Sequence, residues 1–252
     1  MGETERNIKL TLEYDGTDFL GWQVQAAGRT VQAELEKGLA RLLGHEVRVV
    51  GAGRTDSGVH ALGQVANFRT ARHLPRDAYL KGLNGILPRD MAVVDVEEVA
   101  PDFCARRSAS GKRYVYRISN RPVRSPLRRR THWEIFRPLD VEAMRAAAIH
   151  FVGRHDFAAM RASDCTAPTT VRDLFRLDVD AFGDEIVLAF EATAFLKQMV
   201  RNIVGTLVEV GMGKRRPEEM PDLLHSRDRR LAGETAPAHG LVLERVWYNR
   251  RP

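Results

Sequence analysis

The sequence predicts an α+β protein built from two ferredoxin-like, or RRM-like, halves of β-α-β-β-α-β order. Two observations carry this prediction. Apolar residues follow the strand period of two and the helix period of 3.6 in the same order twice along the chain, and Pro101 and Gly111 interrupt the pattern between the copies. We expect halves 1–105 and 106–252 that share one continuous, mixed and mainly antiparallel sheet with helices packed on it.

The first half opens with the alternating run IKLTLEY, which predicts a strand over 7–14. Thr30 is a suitable cap for a helix over 30–43. One face of that helix carries four apolar residues: Val31, Leu35, Leu39 and Leu42. Pro75 suits the first turn of a second helix. The remaining elements predicted in this half are strands at 46–53, 63–69 and 91–98 and the second helix at 75–85.

The second half repeats this order, beginning with KRYVYRIS, a predicted strand over 112–119. A Phe182-Gly183-Asp184 turn joins the next two strands. One additional helix, near 217–225, precedes the last strand. The other elements predicted in this half are helices at 140–151 and 195–211 and strands at 171–180, 185–193 and 241–248.

Composition excludes several classes of protein. With 252 residues, 44% hydrophobic and 29% charged, the chain is not disordered. Cys104 and Cys165 are too few for a disulfide framework or a zinc site, and the histidines are spread over different predicted elements, so we expect no metal. No run approaches the ~18 apolar residues of a membrane span, so we expect a cytoplasmic protein with no membrane partner.

Positive charge is concentrated in one segment. The total is +6, but residues 104–132 contain ten Lys or Arg and no Asp or Glu, whereas residues 1–103 are net acidic. A short charged run is commonly a solvated surface. Ten cations without a counter-charge, nine of them Arg, instead favour a polyanion, most simply a nucleic acid.

A glycine-rich segment, GAGRTDSGVH at 51–60, is the first candidate for chemistry. A dinucleotide-binding loop is excluded because Asp56 stands where the third glycine belongs, and a P-loop is excluded because no Gly-Lys-Ser/Thr follows. Two interpretations of Asp56 remain open. It is either a turn residue that bonds to its own backbone, or an ionised nucleophile with Arg54 or another cation nearby.

The run GAGRTDSGVHALGQVANF at 51–68 resembles the signature of the tRNA pseudouridine synthase A family. Further blocks match in the same order along nearly the whole chain. They are EYDGTDFLGWQ (13–23), RTVQAELEKGL (29–39), LNGILPRD (83–90), FCARRSASGKRYVYRI (103–118), GRHDF (153–157), FLKQMVRNIVG (195–205) and TAPAHGLVLERV (235–246).

This resemblance implies a homodimer with an active-site cleft between two α+β halves. It implies isomerisation of uridine to pseudouridine at positions 38, 39 and 40 of the tRNA anticodon stem-loop, without cofactor or metal. The chemical route stays open between attack at C1′, a glycal and attack at uracil C6.

The resemblance also implies roles for individual residues. Asp56 is the nucleophile, and Arg201 is the cation that keeps it ionised. Tyr114 stacks on the target uracil and can relay a proton, and Arg54 enters the RNA helix and holds the flipped base out. The candidate tRNA contacts are Arg106, Arg107, Lys112, Arg113, Arg124, Arg128, Arg129 and Arg130.

Two other classes of function share features with this sequence. The same element order describes a non-catalytic RNA-binding protein with two RRM-like units, but no strand carries that module's RNP1 pattern. An aspartate-dependent hydrolase would need a second carboxylate or metal ligands that the sequence does not offer.

Overall fold

The computed structural model describes residues 5–249, which fold into two compact units. Of the described residues, the first unit contains 5–110 together with 243–249, and the second contains Gly111–Val242. Residues 243–249 therefore belong to the same unit as residues 5–110. The predicted halves, 1–105 and 106–252, stay a prediction, and their outermost residues, 1–4 and 250–252, lie outside the described part.

Strands of the first unit form an antiparallel sheet in which β1 lies between β3 and β4 and β2 pairs with the other edge of β3. Helix α2 packs on β4 and on α1. The elements are β1 (Arg6–Tyr14), α1 (Val31–Leu43), β2 (Val50–Gly51), β3 (His60–Thr70), α2 (Arg76–Ile86) and β4 (Met91–Val99).

Helix α1 begins and ends where its sequence predicts. The Thr30 side chain accepts the Ala33 N–H, and Gly44 ends the helix in the left-handed region at φ 80°. Val31, Leu35 and Leu39 are buried as expected. The helix therefore closes the core of this unit with its predicted apolar face.

The strand predicted over 46–53 is wrong in its extent, because only Val50 and Gly51 pair with β3. Val49 is buried, as the alternation predicts. Its backbone groups instead bond to α1 side chains: Glu36 Oε1 accepts the Val49 N–H at 3.1 Å, and Gln32 Nε2 donates to its carbonyl at 3.4 Å. Side chains of helix α1, and not a neighbouring strand, therefore supply the hydrogen-bond partners of the Val49 backbone.

In the second unit the strand order is β5-β9-β8-β7, antiparallel throughout, with the short β6 parallel to β5. The elements are β5 (Gly111–Asn120), β6 (Trp133–Ile135), α3 (Val141–Ala148), β7 (Gly153–Asp156), β8 (Val171–Phe182), β9 (Glu185–Ala192), α4 (Met199–Gly211) and α5 (Met220–Ser226). Strand β10 (Leu241–Trp247) passes from this unit into the first. The predicted α+β class with mainly antiparallel pairing is confirmed.

Helix α4 is apolar on nearly all sides and forms the centre of the second unit, where α3 packs against it. It begins at Met199 and not at residue 195, because Gln198 adopts a left-handed conformation, φ 61°. The predicted helix at 140–151 is α3 followed by a 3₁₀ turn, and the helix near 217–225 likewise opens as 3₁₀ before α5. Among residues 5–249, no helix has the length and apolarity needed to cross a membrane.

Candidate active-site residues in each unit

Asp56 lies in the loop between β2 and β3 of the first unit, and neighbouring β3 residues hold the start of this loop. The Ala52 N–H donates to the Val65 carbonyl at 2.7 Å, and Gln64 Nε2 donates to the Gly53 carbonyl at 2.9 Å. Because these bonds come from a long central strand, the loop is anchored to the sheet before it reaches Asp56.

A second segment, 19–22, fixes the loop from the other side. The Trp22 N–H donates to the Thr55 carbonyl at 3.1 Å, and Ser57 Oγ donates to the Phe19 carbonyl at 3.1 Å. Gly21 makes this approach possible: its φ is 87°, and a Cβ there would lie 2.6 Å from the Thr55 oxygen. The backbone on either side of Asp56 is thus held in one conformation.

Within this loop, Asp56 is partly exposed and its carbonyl accepts the Val59 N–H at 3.2 Å. Arg54 is exposed, and its Nε donates to Gln23 Oε1 at 3.1 Å. A carboxylate on a fixed backbone loses little conformational freedom when it reacts. The arrangement therefore suits a nucleophile that solvent or substrate can reach.

Tyr114 lies in β5 of the second unit, opposite Phe190 of β9. Its ring is 7% exposed and meets the Phe195 ring edge to face, with 5.1 Å between centroids. Tyr116, two residues on, is fully buried, and its hydroxyl donates to the Pro237 carbonyl at 2.8 Å. Burial raises the pKa of Tyr116 far above its usual range. The strand alternation gives Tyr114 and Tyr116 the same predicted role. Their different contacts in the structure distinguish them.

Arg201 is the third residue of α4 and is half-buried. Its Nε donates to the Ala236 carbonyl at 2.7 Å, and the Ala236 N–H donates back to the Arg201 carbonyl at 3.1 Å. This pair of bonds joins α4 to the segment before β10. The guanidinium is therefore held at its Nε by the segment before β10.

Several cations of the basic segment, 104–132, have partners that are distant in sequence. Glu191 pairs with Arg113 at 3.3 Å, Glu185 with Arg117 at 3.7 Å, and Asp184 with both Arg121 at 3.5 Å and Arg128 at 2.7 Å. These acids lie on β9 or in the turn before it. The hydrogen bond from Arg128 lowers the pKa of Asp184.

The candidate tRNA contacts accordingly differ in exposure. Lys112, Arg113 and Arg128 are half-buried. The exposed members are Arg106, Arg107, Arg124, Arg129 and Arg130. Within residues 5–249, no three His, Cys, Asp or Glu side chains are grouped as metal ligands would be.

A sequence profile described as tRNA pseudouridine synthase matches residues 11–125 and 147–249. The chain belongs to the tRNA pseudouridine synthase family. It is 59% identical over 246 residues to tRNA pseudouridine synthase A of Myxococcus xanthus, covering 97% of this chain and 93% of that protein. The proteins of the same name from Geotalea uraniireducens and Pelobacter propionicus are each 51% identical over 243 residues, 96% of this chain and 100% of theirs.

Membership in this family confirms two predictions made from the sequence, the family itself and an isomerase that makes pseudouridine. It removes the support for a non-catalytic RNA-binding protein and for a hydrolase. The matched ranges include Asp56, Arg54, Tyr114 and Arg201, whose individual roles remain predictions.

The residues that hold these side chains in place are not predicted by the sequence. Trp22 and Gly21 lie in a block that resembles the family, but nothing in their spacing predicts a contact with Thr55. The apolar periodicity predicts that Phe195 lies in a helix, whereas it precedes α4 and packs on Tyr114. Contacts of this kind depend on tertiary structure, which periodicity does not encode.

Proposed function

We propose that this enzyme isomerises uridine to pseudouridine at positions 38, 39 and 40 of the tRNA anticodon stem-loop, with Asp56 as the nucleophile. The observation that carries the proposal is the partly exposed Asp56 on a loop whose preceding backbone is fixed by hydrogen bonds from Gln64 and Trp22. The sequence blocks shared with the family support the choice of RNA and positions.

The reaction exchanges one glycosidic bond for another. The N1–C1′ bond of uridine breaks, the uracil turns, and a C5–C1′ bond forms while C5 loses its proton and N1 gains one. Atoms balance and nothing is oxidised, so a nucleophile, a proton relay and a pocket that retains the freed base suffice. No cofactor or metal is needed for any of these roles.

Three further side chains take the remaining roles. Tyr114 stacks on the uracil and relays the proton from C5. Its edge-to-face contact with Phe195 fixes the plane of the ring and so supports the stacking role. Arg201 is the cation that keeps the nucleophile ionised. Arg54, exposed at the tip of the Asp56 loop, enters the stem and holds the target nucleotide out of the helix.

The tRNA backbone is bound by the exposed arginines of the basic segment. Arg124, Arg129 and Arg130 contact phosphates, while Arg113 and Arg128 are fixed by Glu191 and Asp184 and shape the surface. We also propose a cytoplasmic homodimer, which the resemblance alone supports. Light scattering of the purified enzyme measures the oligomeric state, and a monomer would contradict that part.

Replacement of the nucleophile tests the central assignment. Asp56→Asn keeps the side chain's size but removes its charge, so we expect no tritium release from tRNA that carries 5-tritiated uridine, with tRNA affinity retained within about tenfold. Asp77→Asn is the matched control, because Asp77 lies on α2 and pairs with Lys81. It should remain fully active.

Full activity in Asp56→Asn would contradict the role of Asp56. The choice of positions has its own test. Pseudouridine mapping in tRNA from cells with and without this protein should show loss at positions 38–40, and an unchanged map there, with loss elsewhere, would contradict that choice.

A further inference from the structure

Three buried side chains form a polar network directly beneath the Asp56 loop. Tyr14, the last residue of β1, is 3% exposed, Thr55 is 6% exposed, and Gln64 is fully buried. The Tyr14 hydroxyl lies 2.8 Å from Thr55 Oγ1. Polar groups this deep in a core are costly unless each has a partner, so their presence requires a physical reason.

Gln64 continues the network toward the loop. Its Nε2 donates to the Gly53 carbonyl at 2.9 Å, its Oε1 accepts the Val65 N–H at 3.1 Å, and it also makes a side-chain hydrogen bond with Tyr14. The network therefore holds the residues on either side of Arg54: Gln64 bonds to Gly53, and Tyr14 bonds to Thr55. Thr55 is held twice, since its carbonyl also accepts the Trp22 N–H.

An irregular register brings these side chains together. Leu12 of β1 is opposite Gln64 of β3, but Tyr14 is opposite Ala61, so β3 contributes one residue more than β1 between the two pairs. A bulge of this kind redirects the side chains beside it and is a feature of strands that lead into functional loops. Here it lies at the end of the sheet from which the Asp56 loop emerges.

The Tyr14 hydroxyl serves as a structural hydrogen-bonding group. Burial raises the pKa of Tyr14 to about 12, although its hydrogen bonds with Thr55 and Gln64 act in the opposite direction. The phenol therefore stays protonated near neutral pH, where it serves as a hydrogen-bonding partner of Thr55 and not as a base.

We propose that Tyr14, Thr55 and Gln64 are positioning residues for the isomerisation. They fix the backbone at residues 53 and 55 and thereby set the direction in which the Asp56 carboxylate points, without touching the RNA. The proposal rests on the proposed function, because it assigns these residues to the nucleophile. A misdirected carboxylate lowers the rate of the chemical step and leaves tRNA binding intact.

Tyr14→Phe is the decisive variant, since it removes one oxygen and keeps the ring. We expect kcat for tritium release to fall by about tenfold or more, with KM for tRNA unchanged. Tyr79→Phe is the matched control: Tyr79 is an equally buried tyrosine of the same unit, but its hydroxyl donates to the Arg72 carbonyl, away from the loop. It should lose similar stability and keep its kcat.

Thr55 provides an independent second test. Thr55→Val removes the hydroxyl at constant shape and should lower kcat as Tyr14→Phe does, and the double variant should be no slower than the slower single variant. Thr55→Ser restores the hydroxyl and should restore most of the rate.

The proposal is overturned if Tyr14→Phe and Tyr79→Phe have kcat values within about twofold of each other, or if Tyr14→Phe changes KM alone. Failure of the proposed function is distinguishable from this result. In that case the wild-type enzyme itself releases no tritium from anticodon stem-loop uridines, whereas here the wild-type enzyme is active and only the variants fail to differ.

Discussion

His132 is a buried histidine of the second unit whose charge depends on its surroundings. Its Nε2 lies 2.9 Å from Glu185 Oε1, and its Nδ1 lies 2.8 Å from Thr131 Oγ1. Burial lowers the pKa of His132, Glu185 opposes this effect, and the nearby Arg128 and Arg117 reinforce it. The folded protein therefore takes up a proton at this site less readily than the unfolded chain does.

A lowered histidine pKa makes stability depend on pH in a definite direction. The contribution of His132 is fully present above the unfolded pKa of about 6.5 and is lost as the pH falls through the lower folded pKa. We expect the free energy of unfolding of the wild-type protein to fall more steeply than that of His132→Gln between about pH 8 and pH 5. Urea denaturation at a series of pH values measures both, and parallel curves would contradict the prediction.

At the level of single residues, the sequence predicted chemistry better than contacts. Asp56 stands in a glycine-rich run that matches neither a dinucleotide-binding loop nor a P-loop. This run predicts a tight loop, and the structure has one. The strand alternation predicts that Tyr114 and Tyr116 lie on one face of β5, so it does not tell which of them serves the site. In the structure the two tyrosines differ: the Tyr116 hydroxyl donates to the carbonyl of Pro237, more than a hundred residues away, whereas the Tyr114 ring contacts Phe195.

Arg229 is a second arginine, after Arg201, that links the segment before β10 to α4. Arg229 donates to the carbonyls of Ala232 and Gly233 and to Asn202 Oδ1 and Thr235 Oγ1, at 2.9–3.3 Å. Asn202 is fully buried. Because this segment continues to Ala236, whose carbonyl receives Arg201, the arginine supports the position of a candidate catalytic side chain.

Arg229→Met tests this attachment. The substitution removes four part-buried hydrogen bonds, including those to the Ala232 and Gly233 carbonyls. A buried group that loses its partner costs about 1–3 kcal/mol, so we expect a loss of roughly 2–3 kcal/mol in the free energy of unfolding. Arg230→Met is the adjacent control, because Arg230 has an 89% exposed side chain and pairs only locally with Asp228. It should change stability little, and equal losses in the two variants would contradict the prediction.

The sequence predicts helices and strands correctly where the pattern depends on neighbouring residues. It does not predict them where the backbone partners are distant in sequence. The alternation in 46–53 correctly predicts burial of Val47 and Val49. It gives no information on the partners of the Val49 backbone, which are side chains of helix α1 and not a strand. Strands β6 and β7 are too short to carry a period, since three and four residues contain barely two alternations.

The sequence gives the net charge of the whole molecule but not which of its charges are paired. The ten cations of 104–132 have no acid among them, yet Asp184, Glu185 and Glu191 pair with four of them. The net charge of +6 is unchanged by this pairing. The exposed arginines, Arg124, Arg129 and Arg130 among them, are the part of the segment that solvent, and therefore an RNA, can reach.

The salt dependence of tRNA binding distinguishes these exposed arginines from a general charge effect. Each phosphate contact contributes about 0.7–0.9 to the slope of log K against log salt, so replacing Arg124, Arg129 and Arg130 with Gln should weaken binding and reduce that slope by about two to three. The control replaces three exposed arginines of the first unit, Arg41, Arg48 and Arg69, with Gln. Both triple variants carry the same net charge, so long-range attraction is matched. If the two slopes fall equally, the basic segment makes no specific contacts with the tRNA backbone, and its arginines act only through the total charge of the protein.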